Sequence, residues 1–310
     1  MIDVLTITNK LIEVEEKENV RILLAVEAGS RAWGYASDDS DYDVRFIYVR
    51  PKEEYLKLSE RRDVIEWQLD ENVDMNGWDL KKALLLLRAS NPTLFEWAAS
   101  PICYQTSDYW RNVSKEINNF FRPRAGFFHY LGMAKTTYKK FLQNEPIFLK
   151  KYFHAVKSIL AAKYILENET PPPVCLTELM RCELKPGELP SFTDLYVKKS
   201  NNELEKFGLR IPELDAYIWN SIALLDHAAP DITPDRPLHW QLLDQMFLDG
   251  LDAFYQYKQV DAGECTNEAE GTEMTFTCSV CGAHTIDRMN WDKGDFCYCP
   301  NCGRKIVEVK

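Results

Sequence analysis

An acidic pair follows a glycine-serine pair, and each motif flanks a segment with the pattern of a buried strand. Residues 21–26 (RILLAV) are almost entirely apolar and lead into Gly29 and Ser30. A small, flexible Gly-Ser at a strand end lets backbone N–H groups approach a phosphate closely. Asp41 and Asp43 open a second apolar strand, in which alternate residues share one face. A polar hairpin turn would explain the acidic pair alone, but not the joint pattern.

Two carboxylates on one face of a strand repel each other, and a divalent cation removes that cost. Mg²⁺ prefers carboxylates and phosphate oxygens, so a third carboxylate is expected on a neighbouring strand. Asp74, in the strand-like segment 72–78, is the preferred candidate, and Asp79 is the fallback. Asp63 and Glu66 are weaker candidates. Asp79 directly precedes an apolar helix pattern, which is typical of an N-cap.

The middle of the chain is basic although the whole chain is acidic. Residues 122–163 contain nine Lys and Arg and one acidic residue, within a chain of net charge −11. This asymmetry suggests an anionic partner at one face. Lys139, Lys150 and Lys157 are candidates for phosphate contact, and the interleaved aromatic residues would suit stacking on single-stranded nucleic acid. The alternative is that the aromatics form core and the lysines a solvated helix face.

Two paired cysteine motifs stand near the C-terminus, with the spacing C-x₂-C-x₁₇-C-x₂-C. This spacing is typical of a zinc site, and the four thiolates of Cys278, Cys281, Cys299 and Cys302 would form a closed, structural Zn²⁺ site. A redox pair is the alternative. The tail has balanced charge, so it gives no preference between RNA binding and docking to a protein partner.

These motifs resemble the nucleotidyltransferases of the DNA polymerase beta superfamily, whose signature is a strand, Gly-Ser, a short spacer and an acidic pair. Within that superfamily the chain is most similar to the predicted nucleotidyltransferases of bacterial RNA-repair pathways (RlaP-type). The similarity covers about residues 20–255, and three strings carry it: GSRAWGYASDDSDYDVRFIYV, VDMNGWDLKKALLLLRASNPTLFEWAASPI and KKYFHAVKSILAAKYI.

The resemblance implies two-metal transfer of NMP from an NTP to a hydroxyl, with an RNA end as the expected acceptor. Asp41 and Asp43 would bind two Mg²⁺ or Mn²⁺ ions, and Asp74 one of them. The residues expected to contact the nucleotide are Gly29, Ser30, Arg31, Lys150 and Lys157. Arg31 could instead be a plain surface arginine. A protein or small-molecule acceptor, and a catalytically degenerate nucleotide-binding adaptor, are the alternative functions.

The resemblance also implies an α+β fold, with a nucleotidyltransferase-type mixed sheet and flanking helices, a helical second domain and a small C-terminal zinc ribbon. Local composition separates the 310 residues at 1–120, 121–258, 259–272 and 273–310. The resemblance implies that these are a catalytic domain, a helical domain, a linker and the ribbon. The apolar runs are too short for a membrane span, and the N-terminus lacks a signal-peptide pattern. We therefore expect a cytoplasmic protein without a membrane partner.

Overall fold

The computed structural model of the protein describes residues 4–37, 40–70, 73–229 and 240–260, and four short strands beyond them. The chain divides into two compact units, Met1–Gly250 and Leu251–Lys310. The domain bounds predicted at 120, 258 and 272 stay predictions. Cys278, Cys281, Cys299 and Cys302 lie outside the described residues, and the zinc ribbon stays a prediction with them.

A five-stranded mixed sheet forms the centre of the first unit. Its strands lie in the spatial order β3-β4-β2-β1-β5, and their bounds are β1 Arg21–Glu27, β2 Tyr42–Val49, β3 Val64–Asp70, β4 Val73–Asp79 and β5 Cys103–Thr106. Strands β2 and β4 are parallel, and the other neighbours are antiparallel. β1 buries six of its seven residues, as its apolar run predicted. The mixed sheet with flanking helices confirms the α+β class.

Helices flank this sheet and connect its strands. Helix α1 packs Ile7, Leu11 and Val14 against the apolar side chains of β1, β2 and β4, and this spacing places the three on one helix face. The helices of this part are α1 Val4–Glu18, α2 Gly29–Ala32, α3 Lys52–Tyr55, α4 Leu80–Arg88, α5 Pro92–Ala98 and α6 Asp108–Glu116, followed by a 3₁₀ helix at Ile117–Phe120. α2 is a single turn between β1 and β2, so it lies where the two predicted motifs meet.

A second core lies among the helices that follow. These are α7 Pro123–Phe141, α8 Lys150–Asn168, α9 Leu176–Glu183, α10 Pro190–Ser200 and α11 Pro212–Ala228, with a short antiparallel pair formed by β6 Ile147–Phe148 and β7 Phe207–Gly208. Helix α8 buries eleven of its nineteen residues, because α7, α9 and α11 all pack against it. Tyr35, shortly after α2, joins this core with its ring centre 4.7 Å from that of Phe153. The sheet and the helical part therefore meet near α2.

Helix α12 (Trp240–Val260) contains the boundary between the two units. Beyond it the second unit has a parallel pair, β8 Glu264–Asn267 with β11 Lys305–Val309, and an antiparallel pair, β9 Thr275–Thr277 with β10 His284–Ile286. Among the residues that the structure describes, no helix is both long and apolar enough to span a membrane.

Candidate active site

Gly29 brings the end of β1 directly against Asp43. Its backbone has a φ of +59°, in the left-handed region that glycine adopts without strain. A Cβ atom at this position would lie 2.1 Å from Oδ2 of Asp43, so a larger residue would displace that carboxylate. Ser30 follows within α2. The predicted Gly-Ser pair therefore lies beside the predicted acidic pair.

Asp43 and Asp74 occupy directly opposite positions on the parallel strands β2 and β4. Arg45 lies between their side chains, with one guanidinium nitrogen 3.0 Å from Oδ1 of Asp43 and 2.8 Å from Oδ2 of Asp74. Its other terminal nitrogen donates to the backbone carbonyl of Asp74. Sequence reasoning missed Arg45, although the alternation that pairs Asp41 with Asp43 places Arg45 on the same face.

The electrostatics of Asp43 make its negative charge costly. Burial raises the pKa of Asp43 above its ordinary value, and the charges of Asp74 and Asp41 raise it further, against the lowering effect of Arg45 and Lys150. Burial is the largest of these causes, and the carboxylates of Asp43 and Asp74 share the single positive charge of Arg45. Carboxylate oxygens are the ligands that Mg²⁺ and Mn²⁺ prefer, so the donor chemistry fits a divalent cation.

Asp41 lies two residues before Asp43, and its charge acts on that carboxylate. It is exposed and precedes β2 by one residue. In the described part of the chain, no group of three or more His, Cys, Asp and Glu side chains is arranged to hold a metal ion. Metal binding by Asp41, Asp43 and Asp74 therefore stays a prediction.

Arg31 holds the segment that leads into β2. Its guanidinium donates to the carbonyl oxygens of Ser40 at 2.6 Å and Asp41 at 3.3 Å, and it lies 3.7 Å from the centre of the Tyr42 ring. These contacts fix the backbone from which Asp41 and Asp43 project. The predicted phosphate contact of Arg31 stays a prediction, and it would have to compete with this positioning role.

Sequence reasoning missed Glu27, a buried carboxylate next to the backbone of Asp43. Its Oε1 accepts from the backbone N–H of Asp43 at 2.7 Å, and its Oε2 accepts from the Tyr104 hydroxyl at 2.5 Å. Burial raises the pKa of Glu27. The available signal was an acidic residue at the end of an otherwise apolar strand. Glu27 supports the backbone that positions Asp43.

The fallback carboxylate, Asp79, has a structural role. It caps α4 by accepting from the backbone N–H of Lys81 at 2.8 Å, as its position before the helix predicted, and it accepts from the Tyr55 hydroxyl at 2.9 Å. Asp63 and Glu66 pair with Lys82 and Arg62. Of the four candidates, Asp74 alone is in register with Asp43.

The two predicted nucleotide-binding lysines lie in different surroundings. Lys150 begins α8, is half-buried, and acts electrostatically on Asp43. Lys157 is buried, with its Nζ 2.7 Å from Oε1 of Glu96 and 3.9 Å from the centre of the Trp33 ring. The alternative of a solvated lysine face on α8 does not hold at Lys157, whose side chain is buried. Its contact with phosphate stays a prediction that competes with the Glu96 pair.

The chain is similar in sequence to known proteins over most of its length. The model of the RlaP family, described as the RNA repair pathway DNA polymerase beta family, matches residues 5–249. The uncharacterized protein YcgL of Bacillus subtilis (strain 168) is 35% identical over 255 residues, which cover 81% of this chain and 97% of that protein. A crystal structure of a nucleotidyltransferase-like protein from Exiguobacterium sibiricum 255-15 matches 84% of this chain and 82% of its own, with 13% identity and a TM-score of 0.29. The matched family spans the sheet, the carboxylates and the helices around them, so this chain belongs to the RlaP family and is a nucleotidyltransferase of the DNA polymerase beta type.

Proposed function

We propose that this protein transfers a nucleoside monophosphate from an NTP to a hydroxyl group, and that the acceptor is an RNA end. The observation that carries the proposal is the register of Asp43 and Asp74 on adjacent strands, with Gly29 packed against Asp43. Paired carboxylates beside a flexible glycine suit the binding of a polyphosphate together with divalent cations.

The residues of the site divide this work. Asp41, Asp43 and Asp74 would hold two Mg²⁺ or Mn²⁺ ions, which when bound supply charge neutralisation of the polyphosphate and a lower pKa of the attacking hydroxyl. Gly29 and Ser30 would offer a backbone N–H and a hydroxyl to the triphosphate. Arg31 and Lys150 would add positive charge, with Lys150 the better placed because it already acts on Asp43.

An RNA acceptor is supported by two observations. The family to which the chain belongs is described by its association with RNA repair. The segment 122–163 is strongly basic within an acidic chain, and phosphate binding depends on local positive charge. We place the enzyme in the cytoplasm, where the free thiols of Cys103, Cys175 and Cys182 would stay reduced.

Labelled NTPs test the proposal. The full-length protein would be incubated with each labelled NTP, Mg²⁺ or Mn²⁺, and either total RNA or a cell lysate. We expect label in RNA, and none with Asp43→Asn. Label in protein or in a small molecule would contradict the RNA acceptor, and no label in any fraction would favour a degenerate adaptor.

We also propose that Cys278, Cys281, Cys299 and Cys302 hold one structural Zn²⁺. A closed four-thiolate site has no open position for chemistry, and its binding energy contributes to folding. Elemental analysis should find one zinc per chain in the wild type and none in Cys278→Ser. Metal-free wild-type protein would contradict the zinc site.

A further inference from the structure

The short strand pair β6–β7 carries one phenylalanine on each strand. Phe148 and Phe207 are directly opposite each other in the antiparallel register, with ring centres 5.6 Å apart. Ile147 and Gly208 form the other pair, and Ile147 is buried in the helical core. Because successive residues of a strand point to opposite faces, the two phenylalanines project away from this core. They form an outward-facing pair of rings in the first unit.

Exposed rings and lysines are combined around this pair. Phe207 is 48% exposed, and Phe141, the last residue of α7, is 43% exposed. The ammonium of Lys151 lies 4.5 Å from the ring centre of Phe141 and 5.7 Å from that of Phe148. The ammonium of Lys206 lies 5.7 Å from the ring centre of Phe207. Within the residues that the structure describes, neither lysine forms an ion pair with a carboxylate. Both positive charges are therefore available to an anionic partner.

A pocket of about 270 Å³ opens beside Phe148. Among its described lining residues are three lysines, Lys150, Lys199 and Lys206, and one acidic residue, Glu205. The excess of positive charge favours an anion. The volume is below the range typical of sites for whole small molecules, so the pocket suits a single phosphate group.

This pocket connects the rings with the candidate active site. Lys150 lines the pocket, and its charge also acts on Asp43. The ammonium of Lys199 donates to the hydroxyls of Ser37 and Ser40, in the segment that leads into β2. Positive charge therefore leads from the rings towards the carboxylates, which is the direction in which an acceptor strand has to run.

The rings and their neighbouring lysines form one aromatic-basic surface, which consists of Phe141, Phe148, Phe207, Lys151 and Lys206. We propose that a single-stranded segment of the RNA acceptor binds to this surface, with bases stacked on the rings and phosphates on the lysines and in the pocket. Rings beside ammonium groups supply both contacts that a single strand uses, whereas the bases of a duplex are already stacked on each other. An acidic protein segment would use the lysines alone. The inference rests on the proposed function and deepens it, because it locates the acceptor.

Binding of labelled RNA without NTP or metal tests the surface independently of transfer. A fluorescein-labelled oligouridylate of about 12 nucleotides, within the length range of single-strand sites, would be titrated with the full-length protein and followed by fluorescence anisotropy. A blunt RNA duplex of equal length would be titrated beside it. We expect saturable binding of the single strand and weaker binding of the duplex. A strand that contains 4-thiouridine should crosslink in the wild type to peptides with Phe148 or Phe207.

Variants of the surface separate stacking from charge. Phe207→Ala should weaken binding of the single strand about ten-fold, the loss of one stacking contact. Lys151→Gln and Lys206→Gln should each reduce the slope of log affinity against log salt concentration by about 0.7, the contribution of one phosphate contact on a single strand. If Phe207→Ala fails to fold, the two lysine variants and the crosslinking of the wild type take its place.

Matched controls come from the same basic segment. The ring of Phe128 is as exposed as that of Phe141 and has the guanidinium of Arg124 5.3 Å from its centre, but it lies about 20 Å earlier along α7. Phe128→Ala should therefore bind RNA like the wild type. Lys135 pairs with Asp226, so Lys135→Gln should leave the salt slope unchanged.

The outcomes distinguish this inference from the proposed function. Binding that is weakened in the surface variants and not in the controls supports the surface even if no label is transferred. No binding of the strand, equal binding in all variants, or crosslinks confined to other peptides would overturn it even if transfer to RNA is active. Equal affinity for the duplex, or displacement of the strand by poly-glutamate as readily as by unlabelled RNA of equal charge, would also overturn it. The surface would then recognise charge alone, as expected for an acidic protein segment.

Discussion

Acidic side chains occur in two opposite settings within the first unit. At the sheet, Asp43 and Asp74 share one guanidinium, that of Arg45, and their side chains are 33% and 58% exposed. Among the helices, Glu96 pairs one-to-one with the ammonium of Lys157, whose side chain is only 5% exposed. The first setting leaves negative charge uncompensated, and the second leaves none.

This difference distinguishes a candidate cation-binding site from an ion pair that stabilises the fold. Uncompensated carboxylates at the accessible beginnings of two inner strands keep an affinity for a cation, because like charges close together disfavour ionisation until a positive charge arrives. In a balanced, buried ion pair each charge is neutralised within the protein, and removing one partner leaves the other as an unpaired buried charge. The contrast therefore predicts that variants of the carboxylates at the sheet change activity. Variants of Glu96 and Lys157, the helical pair, should change stability.

The largest expected effect is on transfer. Asp43→Asn and Asp74→Asn should each lower the transfer rate about 10³-fold or more, because each removes a carboxylate charge from the centre. Folding should be retained, and the Tm of metal-free Asp43→Asn should equal or exceed that of the wild type, since the cost of burying the charge and its repulsion by Asp74 and Asp41 are both removed. A labelled-NTP assay and a thermal melt measure the two effects.

Asp79→Asn is the matched control at the sheet, because asparagine also caps helices, and it should keep its activity and lose no more than about 1 kcal/mol of stability. Activity that survives in Asp74→Asn and disappears in Asp79→Asn would assign the third carboxylate to Asp79.

At the helical pair we expect the opposite result. Lys157→Met leaves Glu96 without its cation and should lower the free energy of unfolding by about 3 kcal/mol, measured by urea denaturation. Adding Glu96→Leu to this variant should recover part of the loss. The matched surface pair is Lys135 with Asp226, whose side chains are 44% and 49% exposed, and Lys135→Met should cost less than about 1 kcal/mol. A Lys157→Met protein with wild-type stability and a raised KM for NTP would instead support the direct phosphate contact.

The two settings also differ in how far the sequence predicts them. Period-two alternation and a helix N-cap pattern are local, so β1 to β4, the shared face of Asp74 and Asn76, and the cap at Asp79 follow from residues a few positions apart. The proximity of Gly29 to Asp43 fits the resemblance, whose signature joins a Gly-Ser pair to an acidic pair.

The helical pair could not be found in this way. Glu96 and Lys157 are 61 positions apart and meet only because α5 and α8 pack in the folded chain. The spacing of Lys150 and Lys157 on α8 indicated either phosphate contact or a solvated face, and nothing in that spacing points to Glu96 as the partner of Lys157. Glu27 was missed for the same reason, since its partners Asp43 and Tyr104 lie on other strands.

Acid titration of His154, on which the charges of Lys157 and Glu96 act, tests the comparison further. Burial, with the charges of nearby lysines, lowers the pKa of His154 to about 4 in the folded protein, against about 6.5 in an unfolded chain. The unfolded state therefore binds a proton first as the pH falls from 6.5 towards 4, so stability is lost across this window. Between pH 7 and pH 5 the wild type should lose about 1 kcal/mol more than His154→Gln, after allowance for partial solvent exposure. Urea midpoints at the two pH values measure this, and parallel losses in both proteins would contradict it.

The smallest expected effect concerns Arg45, whose guanidinium contacts both carboxylates at the sheet. Arg45→Met should lower the stability of the metal-free protein by no more than about 1 kcal/mol, because the ion pairs are partly exposed and screened. Without the guanidinium, Asp43 and Asp74 repel each other fully, so Mn²⁺ should raise the Tm of the variant more than that of the wild type. A double variant, Arg45→Met with Asp43→Asn, should lose this extra rise, since a single carboxylate remains of the pair. An equal rise in Tm on adding Mn²⁺ to Arg45→Met and to the wild type would mean that the guanidinium does not compete with a cation. The proposed contrast between the carboxylates at the sheet and the helical pair would then rest on the helical pair alone.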